Sequence, residues 1–268
     1  MSERTFYFSD GPYLQAIQGL YGALSMPEAF IKFVGQPQTG KSSVCEKLTL
    51  LLQHKDYQVV YFNYPIESPE MLREMLATEL DFPPAANFAR QLEDILLLDS
   101  DKSDKPIVVI FDDAHLLTDI TLIEIYRLAE IQINRKRVVN IVLCGEPSLE
   151  KRLLNKDELK SLLLSVSHNF ILPTMDAETS SHFLLSYFEK AGLPGLQLEA
   201  AALSHFTRSC RGLPGTARTI CGLILNSRRG QAELTTVSKS ELIGLIKNAR
   251  MSCPYRASNI GTIINGWF

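Results

Sequence analysis

The sequence predicts an α/β fold, in which a parallel five-stranded sheet with flanking helices is followed by a small α-helical domain. The first observation is the motif Gly35-Gln36-Pro37-Gln38-Thr39-Gly40-Lys41-Ser42, which lies between an apolar run and a helical pattern. The second is the apolar run Ile107-Val108-Val109-Ile110-Phe111, which is followed by Asp112 and Asp113. The third is a change after Pro173, where strand-like runs stop and helical patterns dominate. Alternating strands and helices predict the parallel sheet.

The motif has the spacing G-x-x-x-x-G-K-S of the phosphate-binding P-loop, so the expected fold is that of a P-loop NTPase. We expect Gly35 and Gly40 to adopt turns that a Cβ atom would block, with loop N–H groups around an anion. Lys41 is expected to reach the β- and γ-phosphates, and Ser42 to offer its hydroxyl to Mg²⁺. ATP and Mg²⁺ are the predicted ligands. The predicted nucleotide-binding residues are Gly35, Gln36, Pro37, Gln38, Thr39, Gly40, Lys41, Ser42 and Ser43.

A Gly-containing turn could match this motif without binding a nucleotide. The flanking sequence favours the P-loop, because Phe30-Ile31-Lys32-Phe33-Val34 suits a buried strand. After the loop, Val44, Leu48 and Leu51 share one face of a predicted helix. The N-terminus of that helix would add the positive end of its dipole to the phosphate site.

The acidic pair after the second apolar run predicts the metal and water positions. In P-loop enzymes a carboxylate at such a strand end holds Mg²⁺ through water, and its neighbour orients the attacking water. We assign the first role to Asp112 and the second to Asp113. The alternative is a strand that ends in a polar turn, which a P-loop about seventy residues upstream disfavours. His115 could sense phosphate or pack in the core, and packing is the favoured interpretation.

A third strand end supplies one more candidate catalytic residue. The apolar run Val138-Val139-Asn140-Ile141-Val142-Leu143-Cys144 predicts a buried parallel strand, and Gly145-Glu146-Pro147 ends it. A polar side chain at this place can contact the γ-phosphate or its attacking water, so Glu146 is the candidate. The alternative is that Glu146 only opens a helix at Pro147.

Periodicity and helix-boundary signals predict the other elements. Leu14, Ile17, Leu20, Tyr21 and Leu24 would form the buried face of the first helix. The predicted strands are 30–34, 58–63, 105–111, 138–144 and 169–172. The predicted helices are 13–24, about 41–52, 69–80, 88–98, 118–131, 176–191, 199–209, 214–226 and 238–249.

Composition describes an ordinary globular protein of 268 residues, of which 46% are hydrophobic and 21% are charged. We expect a P-loop core over 1–173, a helical lid over 174–250, and a tail over 251–268 that is flexible or binds a partner. The net charge of −3 and the small basic corner Arg135-Lys136-Arg137 argue against a nucleic-acid partner.

The five cysteines lack metal-site spacing and suggest small buried side chains in a reducing compartment. The N-terminal residues lack the apolar segment of a signal peptide, and no run approaches the ~18 apolar residues of a membrane span. These observations predict a cytoplasmic location, with any membrane association occurring through a partner.

Taken in order, the motifs resemble AAA-type ATPases of the ExeA (general secretion pathway protein A) and MshM kind, and more distantly transposition proteins of the TniB kind. The resemblance covers most of residues 6–249 and implies a P-loop sheet, a helical lid and ATP hydrolysis. It rests on Phe6-Tyr7-Phe8-Ser9, the P-loop, Asn63-Tyr64-Pro65, the acidic strand, Leu143-Cys144-Gly145-Glu146-Pro147-Ser148-Leu149 and Gly212-Leu213-Pro214.

Four departures from that family predict slow turnover. Its acidic pair is usually Asp-Glu, whereas Asp113 is one methylene shorter, and Glu146 replaces a usual Gln. The segment 165–169 lacks the arginine that would reach a neighbour's nucleotide, and Gly215 occupies the sensor-2 arginine position. Such an arginine contributes about 10³ or more to the rate. Arg218, or else Arg211, could substitute from the lid.

The resemblance implies an ATPase that drives or switches assembly of a partner complex in the bacterial envelope, such as secretion or pilus machinery. A homo-oligomer is compatible with it. ExeA-like relatives continue into a membrane span and a periplasmic part, so this chain is expected to reach an inner-membrane complex through a partner. One alternative is a nucleotide-dependent binding or scaffold module with little hydrolysis. The other is a TniB-like, DNA-associated ATPase.

Overall fold

The computed structural model describes residues 8, 10–26, 28–81, 105–133, 136–228 and 236–251. The helix predicted over 88–98, Arg135, and residues 252–268 of the tail lie outside the described residues. Residue contacts divide the chain into a sheet unit, Tyr13–Gln36 with Lys41–Leu172, and a helical unit, Met1–Pro12 with Pro37–Gly40 and Pro173–Phe268. The roles of 1–173 as a core and 174–250 as a lid stay predictions.

The described strands lie in both units. They are β1 (Phe30–Gly35), β2 (Gln58–Phe62), β3 (Ile107–Phe111), β4 (Gln132–Ile133), β5 (Lys136–Arg137), β6 (Val139–Gly145), β7 (His168–Leu172), β8 (Gln197–Leu198) and β9 (Thr236–Val237). The main sheet has the order β2-β3-β6-β1-β7, and every neighbouring pair in it is parallel. The predicted parallel five-stranded sheet is therefore confirmed.

The helices of the sheet unit flank this sheet. They are α1 (Pro12–Leu24), α2 (Lys41–Gln53), α3 (Pro69–Glu79), α4 (Asp119–Ala129), α5 (Pro147–Asn155) and α6 (Lys160–Ser165). Side-chain caps begin two of these helices, because Ser68 accepts from the Met71 N–H and Thr118 from the Thr121 N–H. The short helix α6 and the β4–β5 hairpin were not predicted, since a six-residue helix or a two-residue strand buries too few side chains to give a period.

The central strands β1, β3 and β6 are buried along their whole length, as expected for parallel strands covered on both faces. β6 lies between β1 and β3, with Val34 opposite Gly145 and Phe111 opposite Leu143. The carboxyl ends of these three strands therefore meet at one edge of the sheet.

Asn140 joins the other ends of the same strands. Its buried amide oxygen accepts from the Ala29 N–H at 2.9 Å, and its amide nitrogen donates to the Ile107 carbonyl at 3.3 Å. Because Ala29 precedes β1 and Ile107 begins β3, one side chain on β6 contacts both neighbours of its strand. A buried polar group is stabilising only when it is paired in this way.

The buried face of α1 differs from the prediction. Leu14 is 42% exposed, and the buried face is turned toward smaller residues. The reason is close packing on β7: a Cβ atom at Gly19 would lie 2.7 Å from the Phe170 ring. The helix therefore turns its smaller residues toward the sheet, and the large side chains of Leu14 and Tyr21 lie outside the buried face. The buried residues of α1 are Tyr13, Ala16, Ile17, Leu20, Ala23 and Leu24.

The helical unit contains α7 (Ala177–Lys190), α8 (Ala200–Cys210), α9 (Pro214–Ser227) and α10 (Lys239–Met251). The expectation that strands stop after Pro173 is wrong in one respect, because β8 and β9 form a parallel pair. Each has two residues, too few to show an alternating pattern. Within the described part of the chain, every helix is too short or too polar to cross a membrane.

Four of the five cysteines are free and buried, as the sequence suggested; they are Cys45, Cys144, Cys210 and Cys221. Burial raises the pKa of the Cys144 and Cys221 thiols above the ordinary range. Cys253 lies outside the described residues.

Two glycines of the helical unit have left-handed backbones in different surroundings. Gly192 follows α7 at φ +81° and closes a Schellman motif, in which the Leu193 N–H donates to the Phe188 carbonyl. Gly212 lies between α8 and α9 at φ +70°, and its carbonyl accepts from the Met175 N–H. A Cβ atom at Gly212 would lie 2.2 Å from the Met175 oxygen, whereas a Cβ atom at Gly192 meets nothing within 4 Å.

Gly212→Ala is therefore expected to destabilise the protein more than Gly192→Ala. Each alanine accepts a left-handed backbone at a cost of about 1–2 kcal/mol. Only at position 212 must the backbone also move to relieve a clash. Gly192→Ala should lower Tm by about 2–6 °C and Gly212→Ala by at least twice as much. Thermal unfolding followed by circular dichroism measures both changes. Equal losses would contradict the packing at Gly212.

Candidate functional site

The P-loop leaves β1 at Gly35 and enters α2 at Lys41. Its left-handed residues are Gln38 at φ 64° and Gly40 at φ 93°, and Thr39 between them is fully buried. The expectation for Gly35 is corrected: this residue is the last of β1, pairs with Leu172, and has an ordinary backbone. Alternation of right- and left-handed residues turns successive N–H groups to one side, as an anion nest requires.

Lys41 begins α2 and is 7% exposed. Its ammonium group donates to the Gln36 carbonyl at 3.1 Å, so the positive charge stays at the base of the loop. Ser42 and Ser43 follow on the exposed side of the first turn of α2. An ammonium group and two hydroxyls at a helix N-terminus suit a phosphate ligand and its metal ion.

The tip of the P-loop contacts α9 inside the helical unit. The Gly215 N–H donates to the Gln38 carbonyl at 3.2 Å, and the Thr216 hydroxyl donates to the Gln38 side-chain oxygen at 2.9 Å. A Cβ atom at Gly215 would lie 2.9 Å from the Gln38 Cβ atom. This contact explains the glycine at position 215, because any larger residue would displace Gln38.

Neither candidate lid arginine is buried. Arg218 lies one turn after Gly215 on α9 with its side chain exposed, and Arg211 ends α8 with a left-handed backbone at φ 51°. In the segment 165–169, Ser167 bonds the backbone of Phe30 through its hydroxyl and so has a structural contact. The assignment of Arg218 as a nucleotide contact stays a prediction.

Asp112 follows β3 and is 4% exposed. One carboxylate oxygen accepts from the Asp113 N–H at 2.9 Å, and the other from the Tyr61 hydroxyl at 3.1 Å. Burial, and then the charge of Asp112, raise the pKa of the Tyr61 phenol, which keeps it a hydrogen-bond donor. Sequence reasoning missed Tyr61, because a tyrosine in a strand carries no local sign of its partner on β3.

Asp113 is the next residue, and its backbone is left-handed at φ 48° and ψ 35°. Aspartate tolerates this region better than most residues, and such strain is common at functional sites. Its side chain is half-buried. Burial, and then the charge of Asp112, raise the pKa of the Asp113 carboxyl, against the opposing charges of His115 and Lys41.

Glu146 lies at the end of β6 as the N-cap residue of α5, with Pro147 at the first helical position. Its side chain makes no capping hydrogen bond, so the carboxylate is not used to start the helix. Glu146 Oε1 lies 3.6 Å from His115 Nε2, and Asp113 Oδ1 lies 3.8 Å from His115 Nδ1. The structure thus brings Asp112, Asp113, His115 and Glu146 to one edge of the sheet.

The oxygen-rich set at this edge fits the chemistry of Mg²⁺. Asp112 offers a buried carboxylate whose orientation is fixed by two donors, and Ser42 offers an exposed hydroxyl. Mg²⁺ binds one or two such protein oxygens and takes its other ligands from phosphate and water.

The comparisons with known proteins agree with this fold. Residues 25–153 match the family profile described as AAA domain. The matched segment includes the P-loop, the acidic pair and Glu146. No match was found among curated protein sequences.

Several solved structures are similar to this chain in fold. Cdc6p from Pyrobaculum aerophilum has a TM-score of 0.65 and 18% identity, over 85% of this chain and 65% of that one. The ORC2 protein of Aeropyrum pernix, solved as ADPNP-ADP complexes, has a TM-score of 0.61 and 10% identity, over 91% of this chain and 68% of that one. A mutant form of RuvB from Thermotoga maritima has a TM-score of 0.57 and 12% identity, over 89% of this chain and 70% of that one. At these identities the likeness concerns the fold alone, and this chain spans less than two thirds of the Cdc6p structure.

Asp113→Asn is expected to leave the fold intact and to raise Tm slightly at pH 7. The raised pKa means that the native state holds the Asp113 proton more tightly than the unfolded state does. Stability is therefore lost as pH rises above 3.8 and through the folded pKa. Asparagine carries no charge and accepts the left-handed backbone. Differential scanning fluorimetry should show a gain of about 1–3 °C.

The matched control is Asp157→Asn, at an exposed carboxylate that pairs with Lys160 at 2.6 Å. Its Tm should change little, because exposed ion pairs contribute about 0–1 kcal/mol. A lower Tm for Asp113→Asn than for the control would show that ionised Asp113 stabilises the native state.

Proposed function

We propose that this chain is a nucleotide-dependent switch that binds ATP with Mg²⁺ and hydrolyses it slowly to ADP and phosphate. The supporting observation is the convergence at one sheet edge of Lys41 after β1, the acidic pair after β3 and Glu146 after β6. The charge of Lys41 acts on the Asp113 carboxyl, so these groups share one electrostatic environment.

Each residue has a distinct role in this proposal. The loop residues 35–40 and the first turn of α2 hold the phosphates, with Lys41 as the mobile charge. Ser42 and Asp112 hold Mg²⁺, which when bound neutralises charge on the β- and γ-phosphates. Tyr61 keeps the Asp112 carboxylate in one orientation.

Asp113 acts on the attacking water. Its carboxylate accepts a proton from the water as the oxygen bonds to the γ-phosphorus, and the bond from that phosphorus to ADP breaks. Glu146 lies on the neighbouring strand end, where it can orient the same water. The left-handed backbone of Asp113 fixes where the short side chain can reach.

Slow turnover follows from the charges at the site. Asp112, Asp113 and Glu146 are all acidic, and the segment 165–169 contributes no arginine. An arginine at this kind of site contributes about 10³–10⁵ to the rate. We therefore infer a basal turnover well below about 1 per second, the lower end of ordinary enzymes. A partner protein or a second copy of the chain would supply the missing cation.

The partner in this proposal is a protein complex of the bacterial envelope, such as secretion or pilus machinery, reached from its cytoplasmic side. The motifs shared with ATPases of the ExeA and MshM kind support this class of partner. A scaffold that binds ATP without hydrolysing it is the second candidate, and the acidic surplus at the site favours it. The ATPase and the scaffold differ in one measurable respect, since only the ATPase releases phosphate from ATP.

Lys41→Ala is expected to weaken ATP binding while the fold is retained. The ammonium group donates to the loop carbonyl of Gln36, so its loss removes a positive charge from the proposed phosphate site. A charge-assisted hydrogen bond contributes about 1.5–3 kcal/mol, which predicts a loss in affinity of about 10- to 100-fold. Titration of a fluorescent ATP analogue measures it. Lys55→Ala, an exposed lysine after the same helix, is the control, and equal affinities for all three proteins would contradict the P-loop assignment.

Asp113→Asn is expected to bind ATP with parental affinity and to release phosphate about 10²- to 10⁴-fold more slowly, the usual contribution of a general base. A single-turnover phosphate-release assay resolves this difference even if the parent is slow. Asp157→Asn again serves as the control. Parental turnover by Asp113→Asn would remove Asp113 from the mechanism, and absence of turnover in the parent would favour the scaffold.

A further inference from the structure

His115 occupies a place that packing alone does not explain. Its two ring nitrogens face two different carboxylates, Asp113 at 3.8 Å and Glu146 at 3.6 Å. The side chain is only 12% exposed, and the buried Nδ1 atom makes no hydrogen bond. A buried polar nitrogen without a partner is costly, so its position between two acids calls for an explanation.

The backbone around His115 is held from two sides. The Arg152 guanidinium, on α5, donates to the carbonyls of His115 at 3.1 Å and Leu117 at 2.6 Å. At the end of β6, a Cβ atom on Gly145 would lie 3.2 Å from the backbone nitrogen of His115, so the strand end contacts this turn. The imidazole therefore projects from a fixed point toward both carboxylates.

The negative charges at this edge would be stabilised by a positively charged imidazole between Asp113 and Glu146. Asp113 and Glu146 repel each other, and Asp112 adds a third negative charge beside them. An imidazolium ring donates an N–H from each of its nitrogens, so in that form His115 reduces the repulsion and gives each carboxylate a preferred direction. A movement of about 0.6 Å would bring either nitrogen within ordinary hydrogen-bond range.

We propose that His115 is a positioning residue for ATP hydrolysis, in which the protonated imidazole bridges Asp113 and Glu146 and holds Asp113 toward the attacking water. This proposal rests on the proposed ATPase function. His115 does not touch the nucleotide in it and takes no proton from water. Its effect is confined to the orientation of the two carboxylates.

The test compares His115→Ala with the parent in two assays. Single-turnover phosphate release at saturating ATP should fall about 10- to 100-fold, the usual effect of misplacing a reacting group by about 1 Å. Affinity for a fluorescent ATP analogue should stay within about threefold, because the phosphate contacts are elsewhere. His54→Ala, at an exposed position just after α2, should match the parent in both assays.

Conservative variants separate positioning from a purely structural effect. The amide of His115→Asn can reach toward Asp113 and that of His115→Gln toward Glu146, so each should recover part of the rate. In a Glu146→Gln background the further loss from His115→Ala should be smaller, because one bridged charge is already gone. Equal losses in both backgrounds, with no recovery in the amide variants, would overturn the proposal.

Two other results would also overturn it: a parental rate for His115→Ala, or a loss of affinity as large as the loss of rate. Failure of the proposed function is a different outcome, seen when the parent itself releases no phosphate. The bridge is then tested without ATP by ¹⁵N NMR of the imidazole. The Nδ1 signal should move in Asp113→Asn and the Nε2 signal in Glu146→Gln, and unchanged signals in both would overturn the bridge.

Discussion

The position of β6 between β1 and β3 is the constraint on which the site depends, and the Asn140 amide is the interaction that pins it. The amide bonds both neighbouring strands near their starts, and a shift of either strand by one residue would leave it unpaired in the core. Because the first residues of β1, β3 and β6 are aligned, the length of each strand decides where the backbone leaves the sheet. The P-loop, the acidic pair and Glu146 then meet at one edge of the sheet.

The three acids at this edge are in different environments, although they are chemically alike. Asp112 is almost fully buried, and both of its oxygens accept hydrogen bonds from groups that cannot move far. Asp113 is half-buried and sits on a strained backbone, and Glu146 faces an imidazole. A fixed carboxylate suits a metal ligand, whereas a less constrained one suits proton transfer. This difference supports the roles proposed for Asp112 and Asp113.

The sequence was sufficient for the sheet, because β1, β3 and β6 are long apolar runs and the P-loop spacing is specific. It was also sufficient for the helix entries at Ser68 and Thr118, where the cap is a local interaction. It failed at Leu14, since the buried face of α1 depends on room beside Phe170, a residue 156 positions away. Tyr61 and Arg152 were missed for the same reason: their partners are distant in the chain. For His115 the sequence offered two interpretations, and only the positions of Asp113 and Glu146 show what the ring faces.

The contact between Gly215 and Gln38 links two positions that lie 177 residues apart in the chain. Since no Cβ atom fits at one position while the glutamine occupies the other, neither residue can vary freely. In related chains, a larger residue at the start of this helix should occur together with a smaller residue at the tip of the loop. A lineage that gained a lid arginine at this position would thus have had to change its phosphate loop as well, so the two substitutions would be inherited as a pair.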